Sequence, residues 1–422
     1  MSQKTGAAAD GGGADGKPEN PYPSIGAALG AARALGATII VVDEGTYAEK
    51  VVLDSFPKGI TVDGSWSRTG ATWSRDCSDN RVLKTLIQSP EDIGVVFDGL
   101  QTRSVLANLA VRTRATAAPP PGEPGTSRIG VLAKNSVVAL ENVSIVAANG
   151  DPGGAATAGT AGIPLCATSL ACVAAGKAGR DGDLAPPPVG PGTFDDTGFK
   201  PVDGNDGAAG EPGENGKRGG DAGSRSDCEL GCEASGGCGS MTGTVKSNPG
   251  QCGCGGAGGT RGSAGKGGSA SVALLAVGGT VSVKFSELVA GDGGDASPGG
   301  TGGPSSAGHE GAVGTVPTKC WTPGCCTNGQ ACPGAQCGCY GRGNWNAICT
   351  TPTAPPERLL AGGTAGGAGA AGGKGSNGSG GAGGPAFAYV PVNGAQVLIA
   401  ESKRAFGRGG NGAIGGVTGE KP

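Results

Sequence analysis

The sequence predicts an all-β fold in which short strands stack into a solenoid, with glycine-rich segments projecting from it. Three observations predict this fold. β-Branched runs recur at short intervals, a two-part pattern recurs four times, and glycine occupies every third position in three long series. Of the 422 residues, 90 are glycine and only 36% are hydrophobic. An ordinary globular core therefore cannot extend through the whole chain, because ordering glycine-dense backbone costs much conformational entropy.

The first element is predicted to be a short helix that begins after Ser24. Serine is a favourable N-cap residue, and Gly36 is placed to end the helix. The apolar spacing that defines one face of this helix comes from Ile25, Leu29, Ala32 and Leu35. The helix is therefore expected to cover an apolar surface.

Short strands are predicted after the helix, in β-branched runs at 38–42, 50–53 and 59–62 that turn residues separate. The stretch 23–64 resembles the N-terminal entry of the pectin-lyase-like superfamily, and residues 38–49 are similar to the segment that begins its first turns. The resemblance covers about a tenth of the chain. It implies a right-handed parallel β-helix with an N-terminal capping helix, and it implies no chemistry.

A two-part pattern that recurs four times extends this prediction along the chain. The first part is a short apolar run, at 93–97, 129–133, 272–275 and 387–390. The second part contains an apolar anchor residue, which is Leu106, Leu140, Phe285 or Ile399. Two positions after each anchor lies a polar residue, which is Asn108, Asn142, Glu287 or Glu401. Stacked coils need equivalent apolar side chains inside and polar residues at the corners. The four segments are therefore predicted to be successive coils of one solenoid.

The pattern divides the chain into six predicted regions. Residues 1–20 form a flexible tether, 21–150 the first coils with their cap, 151–270 a glycine- and cysteine-rich insertion, 271–291 a coil, 292–385 a second such insertion, and 386–422 the last coil with a glycine-rich tail.

Glycine recurs with period three within residues 204–219, 253–268 and 363–384, and the last series contains eight glycines in phase. This period suits an extended threefold helix that rises about 3.1 Å per residue. Collagen is one alternative, since residues 210–216 are similar to it, but the other two series lack proline. A flexible linker is another alternative. We predict a bundle of polyglycine-II-like helices whose backbone groups pair between neighbours.

Fifteen cysteines with a single histidine indicate an oxidising compartment and disulfide-rich tips on the projecting segments. A tip with almost no apolar core needs disulfides, each of which contributes about 2 to 4 kcal/mol. Zinc is the alternative for the close pairs, but repeated C-x2-C spacing is missing, so no metal is expected. The disulfide candidates are Cys166, Cys172, Cys228, Cys232, Cys238, Cys252, Cys254, Cys320, Cys325, Cys326, Cys332, Cys337, Cys339 and Cys349.

Catalysis is not expected, although enzymes of the pectin-lyase-like superfamily cut acidic polysaccharides with convergent acidic residues. Asp43, Asp63 and Asp98 each end an apolar run, where aspartate is common for local turn reasons. The adjacent aspartates at 195–196 resemble the hydrolase arrangement, but no histidine lies near them in the sequence. The single histidine, His309, lies in a Ser/Gly tract. The sequence therefore predicts no catalytic residue, cofactor or metal.

Three aromatic residues are the candidate contacts for a ligand or partner. Trp321, Tyr340 and Trp345 fall within the cysteine-rich stretch 320–349. Exposed aromatic rings stack on sugars or anchor protein partners. The alternative is that these rings fill the interior of a small disulfide-bonded domain.

The net charge of −3, without a basic cluster, predicts no nucleic-acid partner. No apolar run is long enough to span a membrane, and no signal segment is visible; residues 2–20 are similar to the tether of a mature lipoprotein, which would carry a lipid anchor. We expect a non-catalytic, extracellular or outer-surface structural or adhesive protein that contacts polysaccharide or protein. A self-assembling fibre subunit and a polysaccharide lyase or hydrolase are the alternatives.

Overall fold

A computed structural model describes residues 15–17, 20–69, 72–75, 83–114, 119–163, 176–190, 192–221, 224–229, 242–246, 248–314 and 363–413. Within these ranges the protein is all-β with one helix, α1 (Ile25–Leu35). The strands are β1 (Ile39–Asp43), β2 (Gly45–Tyr47), β3 (Val51–Asp54), β4 (Thr61–Thr69), β5 (Thr72–Ser74), β6 (Thr85–Ser89), β7 (Ile93–Asp98), β8 (Ser104–Thr113), β9 (Arg128–Ala147), β10 (Gly192–Phe194), β11 (Phe199–Pro201), β12 (Ser224–Glu229), β13 (Thr242–Lys246), β14 (Ser271–Lys284), β15 (Glu287–Ala290), β16 (Ala386–Val392), β17 (Gln396–Ala400) and β18 (Lys403–Ala405).

Helix α1 begins and ends where the sequence predicts. The Ser24 hydroxyl accepts the Ala27 N–H at 3.1 Å, and Gly36 ends the helix with a left-handed φ of 65°. The helix packs against β1 and β3. Leu35 does not join the buried face, because its side chain is 76% exposed. The buried residues of α1 are Ile25, Ala28, Leu29 and Ala32.

Fourteen strands form one sheet, in which every pairing except that of β4 with β5 is parallel. The parallel pairings fall into three strand stacks. Stack 1 contains β3, β7, the first third of β9, the first half of β14, and β16. Stack 2 contains β1, β4, β8, the middle of β9, the second half of β14, and β17. Stack 3 contains β2, β6, the end of β8, the end of β9, β15 and β18.

The register aligns the first parts of the predicted repeats. Ile93 pairs with Ile129, Ile129 with Val272, and Val272 with Phe387. After stack 1 the backbone turns through a left-handed residue at the same position in five successive rounds. These residues are Ser55, Gly99, Asn135, Gly278 and Asn393, with φ of 57°, 67°, 44°, 67° and 53°.

The second part of the third repeat is displaced by two residues from the predicted alignment. Leu140 pairs with Val283 rather than with Phe285, and Val283 pairs with Ile399. Phe285 lies at the corner, 61% exposed, and Glu287 begins β15. The sequence could not show this because strand side chains alternate with period two, so a shift of two preserves the pattern. The corner residues are Asn108, Asn142, Phe285 and Glu401, with φ of 56°, 52°, 54° and 48°.

The central strands of stack 1, in β7, β9 and β14, are covered on both faces. Their inner side chains join the main core, and their outer side chains, among them Ile129, Leu132 and Val272, form a second cluster with Phe199 of the β10–β11 hairpin. The Phe194 ring lies 5.0 Å from the Phe199 ring, between centroids. Burial on both faces explains why this part of each repeat reads as a continuous apolar run rather than an alternation.

Arg128 joins the strand stacks to the first glycine-rich segment. Its side chain is fully buried and forms ion pairs with Asp92, which precedes β7, and with Asp151, which follows β9 and is itself buried. A buried guanidinium needs such partners, because an uncompensated buried charge is strongly unfavourable.

Arg128→Met is expected to lower the free energy of unfolding by about 3 kcal/mol, because it leaves the buried Asp151 carboxylate without its cation. The matched control is Arg103→Met. Arg103 pairs with Glu141 on the surface, so its loss should cost less than about 1 kcal/mol. Urea titration followed by far-UV circular dichroism measures both. Equal effects of the two substitutions would contradict the assigned role.

Candidate functional site in the glycine-rich limbs

Seven glycine-rich segments in the described part of the chain contain no helix or strand. We call them limbs 1 to 7, and they cover 150–162, 176–183, 202–220, 250–269, 292–314, 363–384 and 407–413.

The limbs are joined by backbone hydrogen bonds that advance by three residues. Limb 4 donates to limb 6 in six consecutive steps of 2.7–3.1 Å, from Gly253 N–H to the Gly367 carbonyl through Gly268 N–H to the Ala382 carbonyl. Both partners advance together, so these two limbs are parallel. Limbs 3 and 4 are antiparallel, because Gly204 N–H donates to the Gly265 carbonyl whereas Gly216 N–H donates to the Gly253 carbonyl.

The spacing between limbs is too small for a side chain at most of the bonded glycines. A Cβ atom built on Gly375 would lie 2.0 Å from the Thr260 carbonyl oxygen, and one on Gly259 would lie 1.9 Å from the Gly303 oxygen. Real Cβ atoms do not approach backbone so closely, so the period of three in the sequence is a packing requirement. Gly367 differs, because the nearest atom to its Cβ would be Lys217 Cβ at 3.6 Å.

Small polar side chains complete the network between limbs. The Ser376 hydroxyl accepts the Ala208 N–H at 2.8 Å, and the Ser379 hydroxyl accepts the Asn205 N–H at 2.7 Å. A hydroxyl or carboxylate oxygen thus replaces a carbonyl as acceptor where the chain carries a side chain. Further acceptors of limb N–H groups are Asp181, Asp206, Asn215, Ser263, Ser297, Ser306 and Asn377.

The outer ends of limbs 3, 4, 5 and 6 meet. Gly250 donates to the Gly220 carbonyl at 3.3 Å, Gly363 to the Asn248 carbonyl at 3.3 Å, and Gly314 to the Gly363 carbonyl at 2.8 Å. The chain between 220 and 248 and the chain between 314 and 363 therefore leave and return at one end of the limbs. These two excursions carry most of the cysteines.

The predicted contact residues Trp321, Tyr340 and Trp345 lie outside the described residues, as do most disulfide candidates and Cys77. Cys228 lies in β12, whereas Cys252 and Cys254 lie near the outer end of limb 4. Disulfide formation at the tips stays a prediction. The residues that the structure describes contain no cluster of three or more His, Cys, Asp or Glu placed to hold a metal ion.

The three strand-end aspartates occupy different surroundings. Asp63 accepts hydrogen bonds from Arg75 at 2.7 Å, from the Trp66 indole at 2.9 Å and from the Asn108 amide at 2.6 Å. Its carboxylate is thus engaged in holding the β4–β5 hairpin and a corner together. Asp43 is buried in stack 2, whereas Asp98 ends a strand of stack 1 and is exposed.

Asp195 lies at the turn of the β10–β11 hairpin. Hydrogen bonds from the Lys200 ammonium and from Thr197 hold the pKa of this carboxyl well below its ordinary value. The Asp195 carboxyl therefore stays ionised near neutral pH and is poorly suited to donate a proton.

The single histidine, His309, lies within limb 5. Its backbone N–H donates to the Cys254 carbonyl at 2.9 Å.

No family model, curated protein or solved structure matches the chain. In the described part of the chain, no helix is both long and apolar enough to cross a membrane. The class of protein defined here is an all-β protein with a large parallel sheet and hydrogen-bonded glycine limbs.

Gly375→Ala is expected to destabilise the limbs by about 1 to 3 kcal/mol, because the new Cβ overlaps the Thr260 carbonyl. Gly367→Ala in the same limb is the matched control, and it should be neutral or slightly stabilising because the space there is open. Hydrogen–deuterium exchange of limbs 4 and 6 measures the effect. Faster exchange in both variants, or in neither, would contradict the packing requirement.

Proposed function

We propose that the protein is a non-catalytic structural or adhesive protein of an outer cell surface. A right-handed parallel β-helix acts as its spacer, a polyglycine-II-like bundle as its stalk, and a disulfide-rich tip as its contact surface. The observation that carries this proposal is the meeting of the outer ends of limbs 3 to 6, since both cysteine-rich excursions begin and end there.

The β-helix is supported by the three strand stacks. Each round of the chain visits stack 1, stack 2 and stack 3 in the same order, and each strand pairs in parallel with its equivalent in the next round. The recurrent left-handed corners mark equivalent turns. Right-handedness is proposed because connections between parallel strands are right-handed in almost all proteins.

The polyglycine-II-like bundle is supported by the hydrogen-bond period. Partners that advance by three residues on both limbs are expected of threefold helices lying side by side. At a rise of about 3.1 Å per residue, limb 6 would reach roughly 65 Å. The bonds join limbs that are distant in the sequence, so the bundle would hold its outer end in a fixed position relative to the strands.

The contact tip is proposed from cysteine number and aromatic content. The excursion after limb 3 and limb 4 together contain five cysteines, and the excursion after limb 5 contains seven. Both numbers are odd, so if the cysteines pair only among these two groups, at least one disulfide joins the groups. Such a bridge would present Trp321, Tyr340 and Trp345 on a stapled surface for a polysaccharide or a protein.

The fibre alternative is favoured by one feature, the last round of strands. Within the described residues β16, β17 and β18 each pair on one side only. However, α1 covers the opposite end of the stacks, β16 contains Pro391, and β18 carries Lys403 and Arg404. Proline and basic residues are common means of preventing association along an exposed strand edge. We therefore prefer the adhesive function.

The triple variant Trp321→Ala, Tyr340→Ala, Trp345→Ala tests the contact tip. Beads coated with the full chain are expected to be retained on at least one immobilised surface among pectin, alginate, chitin and fibronectin. The triple variant should reduce retention roughly tenfold, because aromatic anchors dominate such contacts. Trp73→Ala, in the β4–β5 hairpin, is the control and should not change retention. Equal retention by the triple variant, or release of unsaturated sugar from pectin, would overturn the proposal.

Electron microscopy of the non-reduced protein separates the two structural candidates. We expect single particles with a projection of roughly 65 Å, set by the length of limb 6. Mild reduction should loosen the end of the projection and leave the far-UV β signal unchanged. Filaments with a regular axial repeat would instead support the fibre subunit.

A further inference from the structure

The chain between limb 2 and the β10–β11 hairpin exposes a compact apolar segment. Leu184 is 83% exposed and Val189 is 92% exposed, and Pro186 and Pro187 are exposed as well. Pro188 is buried. We call residues 184–189 the proline ridge.

The exposure follows the threefold period of a polyproline II helix. Each proline ring fixes φ near −65°, and each residue before a proline is restricted to extended conformations. With three residues per turn, Ala185 and Pro188 share one edge, and this is the edge that packs on the protein. The other two edges are both exposed; Leu184 and Pro187 form one, and Pro186 and Val189 form the other.

The proline ridge is held in place by its neighbours. The Asn205 side-chain amide donates to the Pro186 carbonyl at 3.0 Å and to the Pro187 carbonyl at 3.5 Å. At its beginning, the Asp183 carbonyl accepts the Ser376 hydroxyl. Gly190 ends it with a φ of 85°. A ridge that is already ordered loses little conformational entropy on binding.

We propose that the proline ridge is a docking site for a partner protein whose groove is lined by aromatic rings. The two exposed apolar edges of a polyproline II helix fit the spaces between such rings. The exposed Asp183 carboxylate stands immediately before the ridge. A basic residue at the matching end of the groove would complement it and fix the direction of docking.

A second triproline segment in the chain lacks the two apolar edges of the proline ridge. Pro119, Pro120 and Pro121 lead directly into a turn, in which Glu123 N–H bonds the Pro120 carbonyl at 3.2 Å and Gly122 has a φ of 82°. No large apolar residue accompanies its exposed prolines. It is therefore a matched control with the same proline content and without the two apolar edges.

The test uses purified SH3 and WW domains as probes, since both have aromatic-lined grooves for polyproline II segments. At least one domain of such a panel is expected to bind the full chain with micromolar affinity. Leu184→Asp with Val189→Asp should weaken that binding at least tenfold, and Asp183→Lys should weaken it severalfold where the groove is flanked by a basic residue. Circular dichroism and thermal melting confirm that the variants are folded.

Pro120→Ala with Pro121→Ala should leave binding unchanged, as should the triple aromatic variant of the contact tip. The second result separates this inference from the proposed adhesive function. Absence of binding to every domain of the panel, or equal binding by the Leu184→Asp, Val189→Asp variant, would overturn the docking site.

Discussion

Direct approach of backbone to backbone between the glycine limbs is the constraint on which the rest of the structure depends. At most bonded glycines a Cβ would lie within about 3 Å of a carbonyl group of a neighbouring limb. The limbs can therefore satisfy their N–H and C=O groups against one another without strands or helices. Residues that bring side chains into the limbs are accommodated where the side chain is itself a hydrogen-bond acceptor, as at Ser376 and Ser379.

The strand stacks provide what the limbs cannot, which is a hydrophobic core. Limbs 1, 5 and 7 leave directly after strands of stack 3, and limbs 4 and 6 lead directly into strands of stack 1. Neighbouring rounds of parallel strands lie about 4.8 Å apart, so the limbs that continue them begin within hydrogen-bonding reach. Arg128 and Asp151 tie the two parts together at this junction. The pairing of neighbouring strands thus continues as hydrogen bonding between the limbs that follow or precede those strands.

Much of the fold could be predicted because its strongest signals are local. Ser24 and Gly36 define α1 by their own conformational preferences, and the period-three glycines indicate limbs without reference to any other segment. The apolar spacing alone predicts Leu35 on the buried face, yet its side chain is exposed because the covered surface ends before it. The repeat pattern predicts Phe285 as a core position, but the register between rounds gives that position to Val283. The left-handed conformation shared by Asn108 and Phe285 gives no common sequence signal.

The sequence by itself determined the all-β class, the helix at the start, and the positions at which only glycine fits, because these depend on backbone preferences and short-range period. Tertiary structure alone decided which limbs are neighbours, in which direction each runs, and that the outer ends of limbs 3 to 6 meet. It also decided that Asp63 and Asp195 serve local structure and that the β10–β11 hairpin covers stack 1. The three glycine series share the same period, so the period alone cannot determine which limbs pair; the pairing depends on where the strands place each limb.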